Sequence, residues 1–272
     1  CNSRFNNLFV SIRVIRGNHF HRNRVVFRFL LSLNIVLVSG FNIQSKQKIS
    51  IAAASDLKFA LDSIICIYKK SNTSVDISVT YGSSGKFYEQ ILHSAPFDLY
   101  FSADMYYPER LEEKKMTLGN VKMYGMGEIV LWSKQFDPNV EKMNLLINST
   151  INKIAIANPV HAPYGKRAVE CMNFFKVYDV VKSKLIYGEN ISHTAQFIAS
   201  GSAETGIIAL SIALSPPMMK ENGKYYVIPM ESHQPIEQGF VVLKHAKGNN
   251  IATQFSDFIL SQTVKDILNY YG

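Results

Sequence analysis

The stretch Thr80-Tyr81-Gly82-Ser83-Ser84-Gly85-Lys86-Phe87-Tyr88-Glu89-Gln90-Ile91 decides the fold. Just before it, Val75, Ile77 and Val79 alternate with Asp76, Ser78 and Thr80, the period of a strand with one buried face. Residues 82–85 break that alternation. Phe87 and Ile91 then recur at i, i+4, the spacing of one helix face. The segment therefore reads as strand, Gly/Ser turn and helix. A helix that opens on Ser-Ser-Gly presents backbone N–H groups without intrahelical partners, with hydroxyls beside them. Two readings stand at this point: a serine acting as an ordinary N-cap, and a place for an anion.

The same unit stands directly upstream. Ile49-Ser50-Ile51-Ala52-Ala53-Ala54 reads as a first strand, and Ser55-Asp56 ends it. Leu57, Leu61, Ile64, Ile65 and Tyr68 then recur at helical spacing, which predicts a helix over 56–70 with Ser55 as its N-cap. Asp56 in the first turn suits the positive end of the helix dipole. Two strand–Ser–helix units in tandem predict a parallel sheet. Its strand ends and helix starts share one edge, where open α/β sheets place ligands.

Downstream, Phe97-Asp98-Leu99-Tyr100-Phe101 reads as a short buried strand closed by Ser102-Ala103-Asp104, followed by a helix near 108–115. Further strands are expected at 128–132, 154–157, 185–188, 206–210, 225–228 and 240–243. The loop Asn158-Pro159-Val160-His161-Ala162-Pro163-Tyr164-Gly165 precedes a helix that carries Ala168, Val169, Met172 and Phe175 on one face. It makes a third helix start, at Tyr164 and Gly165. Asn190-Ile191-Ser192 leads into a helix at 193–200 and makes a fourth. One last helix is expected over 251–270. Residues 128–134 and 238–244 look alike and read as two crossings between lobes. The expected division is a leader at 1–45, a first lobe of 46–129 plus 240–272, and a second lobe of 130–239.

Composition narrows the function. The chain has 272 residues, 47% of them hydrophobic and 18% charged, which is a globular composition. The net charge of +8 belongs to the leader: residues 1–48 hold eight basic residues and no acid, leaving 29 − 8 = 21 basic against 21 acidic residues beyond it. A neutral folded part argues against nucleic-acid binding. The apolar run at 29–38 has the length of a secretory signal core, and the Arg-rich, acid-free leader also fits an organelle transit peptide. The three cysteines, Cys1, Cys66 and Cys171, make neither a disulfide framework nor a zinc knuckle. Cys66 falls on the polar side of its helix, and Cys171 reads as core. The phosphate-loop spacing, the G-x-S-x-G elbow and paired histidines at metal spacing are all missing, which argues against an enzyme.

Four segments recur together in a known family: Ala52-Ala53-Ala54-Ser55, Gly82-Ser83-Ser84-Gly85, Ala95-Pro96-Phe97-Asp98-Leu99-Tyr100-Phe101-Ser102-Ala103-Asp104, and Asn158-Pro159 with Pro163-Tyr164-Gly165. On them the chain resembles, over residues 49–272, the periplasmic molybdate-binding proteins that feed molybdate ABC transporters. The resemblance implies a two-lobed α/β fold of the type II periplasmic binding proteins, each lobe a mostly parallel sheet flanked by helices, with the ligand in the cleft. It implies a monomer exported to the periplasm that passes molybdate, and tungstate with it, to a membrane permease. No cofactor, no nucleic acid and no metal beyond the oxyanion are implied.

Carried over by position, the family's ligand groups fall on the hydroxyl and N–H of Ser55, those of Ser84, and the backbone N–H groups of Tyr164 and Ile191. A tyrosine hydroxyl that many relatives supply falls on Ala209, which has no donor. This donor set is neutral and contains no acceptor-only group. A hydrogen phosphate would then bury an unmet proton, at about 1–3 kcal/mol. The alternatives are a binding protein for sulfate or phosphate, an enzyme, and a ligand-sensing regulator, for whose DNA-binding helix pair residues 1–48 are too short and too apolar.

Overall fold

The computed structural model describes residues 47–272, and the expected leader lies outside the described residues. The tandem units fold as their spacing predicts. Strand β1 (Gln47–Ala54) runs parallel to β2 (Val75–Gly82), with Ile51 opposite Val79. Helix α1 (Lys58–Ser71) connects them and buries Leu61, Ile64, Ile65 and Tyr68. Helix α2 (Ser84–Leu92) follows β2 and buries Phe87 and Ile91. Strand β3 (Leu99–Ser102) is buried at every residue and pairs parallel with β1. Helix α3 (Tyr106–Glu113) then leads to β4 (Lys122–Gly127).

The second sheet begins two residues later with β5 (Ile129–Ser133), followed by the single turn α4 (Pro138–Glu141). Next come β6 (Ile154–Ala157), α5 (Pro163–Phe174), the turn α6 (Tyr178–Val181), β7 (Leu185–Gly188) and α7 (Ile191–Ala199). Strand β8 (Thr205–Ala209), α8 (Leu210–Ala213), α9 (Pro216–Lys220) and β9 (Lys224–Val227) complete it. The chain then returns to the first sheet as β10 (Ile236–Val242) and ends in α10 (Asn250–Ile259) and α11 (Gln262–Tyr270).

The sheets have orders β2-β1-β3-β10-β4 and β7-β6-β8-β5-β9, the same wiring twice. In each, three strands joined through helices are parallel. One strand of each runs opposite to the rest: β10 is antiparallel to both β3 and β4, and β5 to both β8 and β9. A strand that enters from the other lobe needs no helical crossover, so it is free to run opposite. The sheets are therefore mixed, with the strands that lead into the helix starts paired parallel and one opposed strand in each. Strand β10 lies wholly in the first sheet, so the division expected at 239/240 would cut through it.

Two other expectations shift. The single C-terminal helix is two helices, because Ser261 caps α11 by accepting from the Val264 N–H. Strand β4 carries Gly125 and Gly127 and exposes Met123 and Met126, so it has no clean alternation to read. The C-terminal helices close the first lobe. Phe255 is fully buried and its ring meets Tyr68 of α1 at 5.0 Å, edge to face. Burial of one such side chain contributes about 1.5–3 kcal/mol.

Candidate functional site

Four helix starts meet at the cleft. Ser55 follows β1, Ser84 is the first residue of α2, Tyr164 is the second residue of α5 after Pro163, and Ile191 is the first residue of α7. The first N–H groups of a helix have no partner within it. All four residues line one small cavity, of about 10 Å³, whose walls come from both lobes. No lysine or arginine lines it among the described residues.

The expectation that Ser55 caps α1 is not met. Residues Ser55–Leu57 form one 3-10 turn, and α1 starts at Lys58 without a side-chain cap. The Ser55 hydroxyl turns across the cleft instead. It donates to Asn190 Oδ1 at 3.1 Å and accepts from the Ser192 N–H at 3.3 Å. The Ser192 hydroxyl donates in turn to the Ser55 carbonyl at 3.0 Å. Asn190 is the true N-cap of α7, its Oδ1 accepting from the His193 N–H at 3.0 Å.

Ser84 is no side-chain cap either; Ser83 occupies the N-cap position, also without a capping bond. The Ser84 hydroxyl accepts from the Ala103 N–H at 3.0 Å, and its carbonyl accepts from the Tyr100 hydroxyl at 2.8 Å. The first bond orients the side chain and leaves its proton to donate, and the second holds the backbone at the helix start. Ser83 reaches the second lobe, with its hydroxyl 2.6 Å from the His161 carbonyl and 2.8 Å from His161 Nδ1. The Gly85 N–H donates to the same carbonyl at 2.9 Å. Only glycine allows this approach: a Cβ on Gly85 would stand 2.8 Å from the His161 carbonyl oxygen and 2.6 Å from the Tyr107 hydroxyl.

Ala209 ends β8, opposite Ile129, and is buried in the second lobe. It is not among the residues lining the cavity. The sequence reading missed Asp56, which lines it. Asp56 was read only as suiting the helix dipole; it is 3% exposed. Its Oδ2 accepts from the Tyr164 hydroxyl at 3.1 Å and from Gln238 Nε2 at 2.6 Å, while the Ser211 hydroxyl donates to its carbonyl at 3.0 Å. Burial pushes its carboxyl up to about 6, against the pull of the Gln238 and Tyr164 bonds. The expectation of a site without an acceptor-only group is therefore corrected, since Asp56 is such a group when ionised. Gln238 carried a signal in the sequence: a polar residue just ahead of the apolar run of a strand that crosses between lobes.

The rim adds charge and rings. Lys86 pairs with Glu189 at 2.9 Å across the cleft, and Lys166 Nζ lies 5.5 Å from the rings of both Tyr106 and Tyr107. Partial burial and the Lys86 charge hold the His161 imidazole below its ordinary value. Cys171 is fully buried in α5, with its thiol pushed up to about 12 by burial, in keeping with core packing. Cys66 is half-buried. No group of three or more His, Cys, Asp or Glu suited to a metal ion occurs among the described residues.

The family description "bacterial extracellular solute-binding protein" matches residues 49–272. The chain is 34% identical over 202 residues to the molybdate-binding protein ModA of Rhodobacter capsulatus, covering 74% of this chain and 78% of that protein. It is 30% identical to the ModA of Azotobacter vinelandii, covering 83% and 89%. The solved structure of the Azotobacter vinelandii periplasmic molybdate-binding protein superposes with a TM-score of 0.75 at 25% identity, over 82% of this chain and 97% of that one. The chain belongs to the bacterial extracellular solute-binding proteins, a family that binds solutes and does not transform them.

Proposed function

We propose that this chain captures molybdate outside the cytoplasm, and tungstate with it, and delivers the oxyanion to the permease of an ABC transporter. The observation that carries the reading is the meeting of Ser55, Ser84, Tyr164 and Ile191, two from each lobe, on one cavity without a cation. Such a set holds a dianion by helix N-termini and hydroxyls rather than by an ion pair. The relatives named for molybdate support this choice among oxyanions. The ligand is cargo and not a cofactor. It would take the place of Asn190 Oδ1 as acceptor of the Ser55 proton, so entry requires the contacts across the cleft to give way. The basic leader with its apolar run at 29–38 supports export, and we take the working form to be a monomer.

A second reading rests on Asp56. An ionised Asp56, a residue of the cavity wall, would accept the proton of hydrogen phosphate if its carboxylate turned to the ligand, which a set of donors alone could not do. Calorimetric titration with molybdate, tungstate, sulfate and phosphate separates the two. Molybdate and tungstate are expected to bind and the other two to bind far more weakly. Preference for phosphate would overturn the first reading in favour of the second.

A further inference from the structure

Asp56 stands where a dianion site has least use for a carboxylate. It lines the cavity formed by the four helix starts, and it also lines a second cavity of about 270 Å³ that runs between α1, β4 and α11. Both side-chain hydrogen bonds it accepts come from neutral groups, Tyr164 and Gln238, the backbone at Asp56 and Leu57 adds only neutral donors, and its Oδ1 has no side-chain partner. Helix α5 offers the Tyr164 hydroxyl, β10 the Gln238 amide, β4 the Tyr124 hydroxyl and α8 the Ser211 hydroxyl. Helix α11 offers Lys265, an exposed side chain on the far wall of the second cavity. Asp104, a second buried acid, lies beyond Tyr124. The turn after β2 and the start of α7 offer only Ser83, Ser84 and Asn190. Among the described residues no cation is in contact to balance the carboxylate.

Resting on the reading that this cavity takes a dianion, we propose that Asp56 holds a proton while the dianion is bound, so that capture draws a proton from solution. The carboxyl changes only its protonation; the proton comes from water and returns on release. The geometry couples the two, because Tyr164 donates its hydroxyl to Asp56 and itself lines the ligand cavity. Burial has already moved the group to about 6. A like charge in the adjoining cavity moves it further the same way. The sign follows. Below about pH 6 the proton is already present and binding takes up none. Above it, capture must gather a proton, and affinity falls by up to about tenfold per pH unit until the pH passes the value of the complex. Oxyanion capture is thereby favoured on the acid side and release on the alkaline side.

The test is calorimetry of the wild-type chain with sodium molybdate at pH 7, in two buffers of different ionisation enthalpy, repeated from pH 5.5 to 8. The expected result is an observed enthalpy that changes with the buffer by a substantial fraction of one proton taken up. The dissociation constant should weaken at least about threefold across the range, by the same linkage. Asp56→Asn should bind without proton uptake and with one affinity at every pH. Molybdate binding with no buffer dependence and no pH dependence in the wild type would overturn the proposal, whether or not the variant folds. Absence of any molybdate binding would overturn the oxyanion reading and this proposal with it. Phosphate binding that exceeds molybdate binding and is lost in Asp56→Asn would make the carboxylate an acceptor for the ligand's proton, the opposite role.

Discussion

The Ser55 hydroxyl of the first lobe donates to Asn190 Oδ1 of the second across 3.1 Å. That one oxygen of Asn190 also caps α7, accepting from the His193 N–H. A single side chain thus orders a helix start at the cavity and ties the lobes together. Asn190→Ala should lower stability by about 0.5–2 kcal/mol through the lost cap. It should also weaken molybdate binding, because the start of α7 frays where Ile191 lies. Asn190→Ser, which keeps a capping oxygen, should restore most of the stability. Denaturant melts of the two variants check this; equal losses in both would count against the cap.

Ser84→Ala removes a hydroxyl held in place by the Ala103 N–H, on a residue whose carbonyl is itself held by the Tyr100 hydroxyl. The loss of a hydrogen bond to a charged ligand is expected to be about 1.5–3 kcal/mol, roughly a 10–150-fold rise in Kd. Ser83→Ala breaks only contacts with His161 at the rim and should change Kd less. Titration of both variants decides, and the reverse order would make Ser83 the ligand group.

Gly85→Ala places a methyl where the His161 carbonyl oxygen and the Tyr107 hydroxyl now stand. The lobes would have to part to admit it. The expected outcome is a larger radius of gyration by small-angle scattering in the presence of ligand, with weaker binding, since a destabilised closed form is populated less. Scattering identical to the wild type would show that the turn yields locally instead. The Lys86–Glu189 pair at the same rim is about half exposed on both sides. Its double-mutant coupling should be no more than about 1 kcal/mol and should fade with salt.

Asp56 also sets a pH dependence of stability. Its carboxyl moves from 3.8 to about 6 on folding, a rise caused first by burial. The folded state therefore holds the proton more tightly than the unfolded one. This stabilisation is fully present below about pH 4 and lost as the pH rises to about 6, after which the ionised carboxylate costs about 3 kcal/mol. Asp56→Asn should therefore melt higher than the wild type at pH 8, and the gap should close toward pH 4. A variant less stable than the wild type at pH 8 would show that the ionised form is the one the fold favours.

Much of this was legible in the sequence because periodicity and turn chemistry are local. The alternation from Val75 to Thr80 and the i, i+4 pair Phe87 and Ile91 give β2 and α2 nearly to the residue. The same reasoning put a helix start at Tyr164 and Gly165, within α5, and one at 193, where α7 begins two residues earlier at Ile191. What it could not give depends on contacts across the cleft. Ser55 and Ser84 looked like caps because serine caps most often do look so; their hydroxyls are turned aside by Asn190 and Ala103, residues 135 and 19 positions away. Asp56 looked like a dipole partner because its burial arises only when α5 and β10 close over it. Strand β4 escaped notice because an edge strand with two glycines has no period to detect.

The most direct test of the central claim is a competition titration of the chain with molybdate in the presence of excess sulfate and phosphate. Tight one-to-one binding of molybdate, displaced by tungstate and little affected by the other two, is the predicted result. Silence toward molybdate, or displacement of it by sulfate or phosphate at equal concentration, would contradict the claim that these four helix starts form a site for the larger oxyanion.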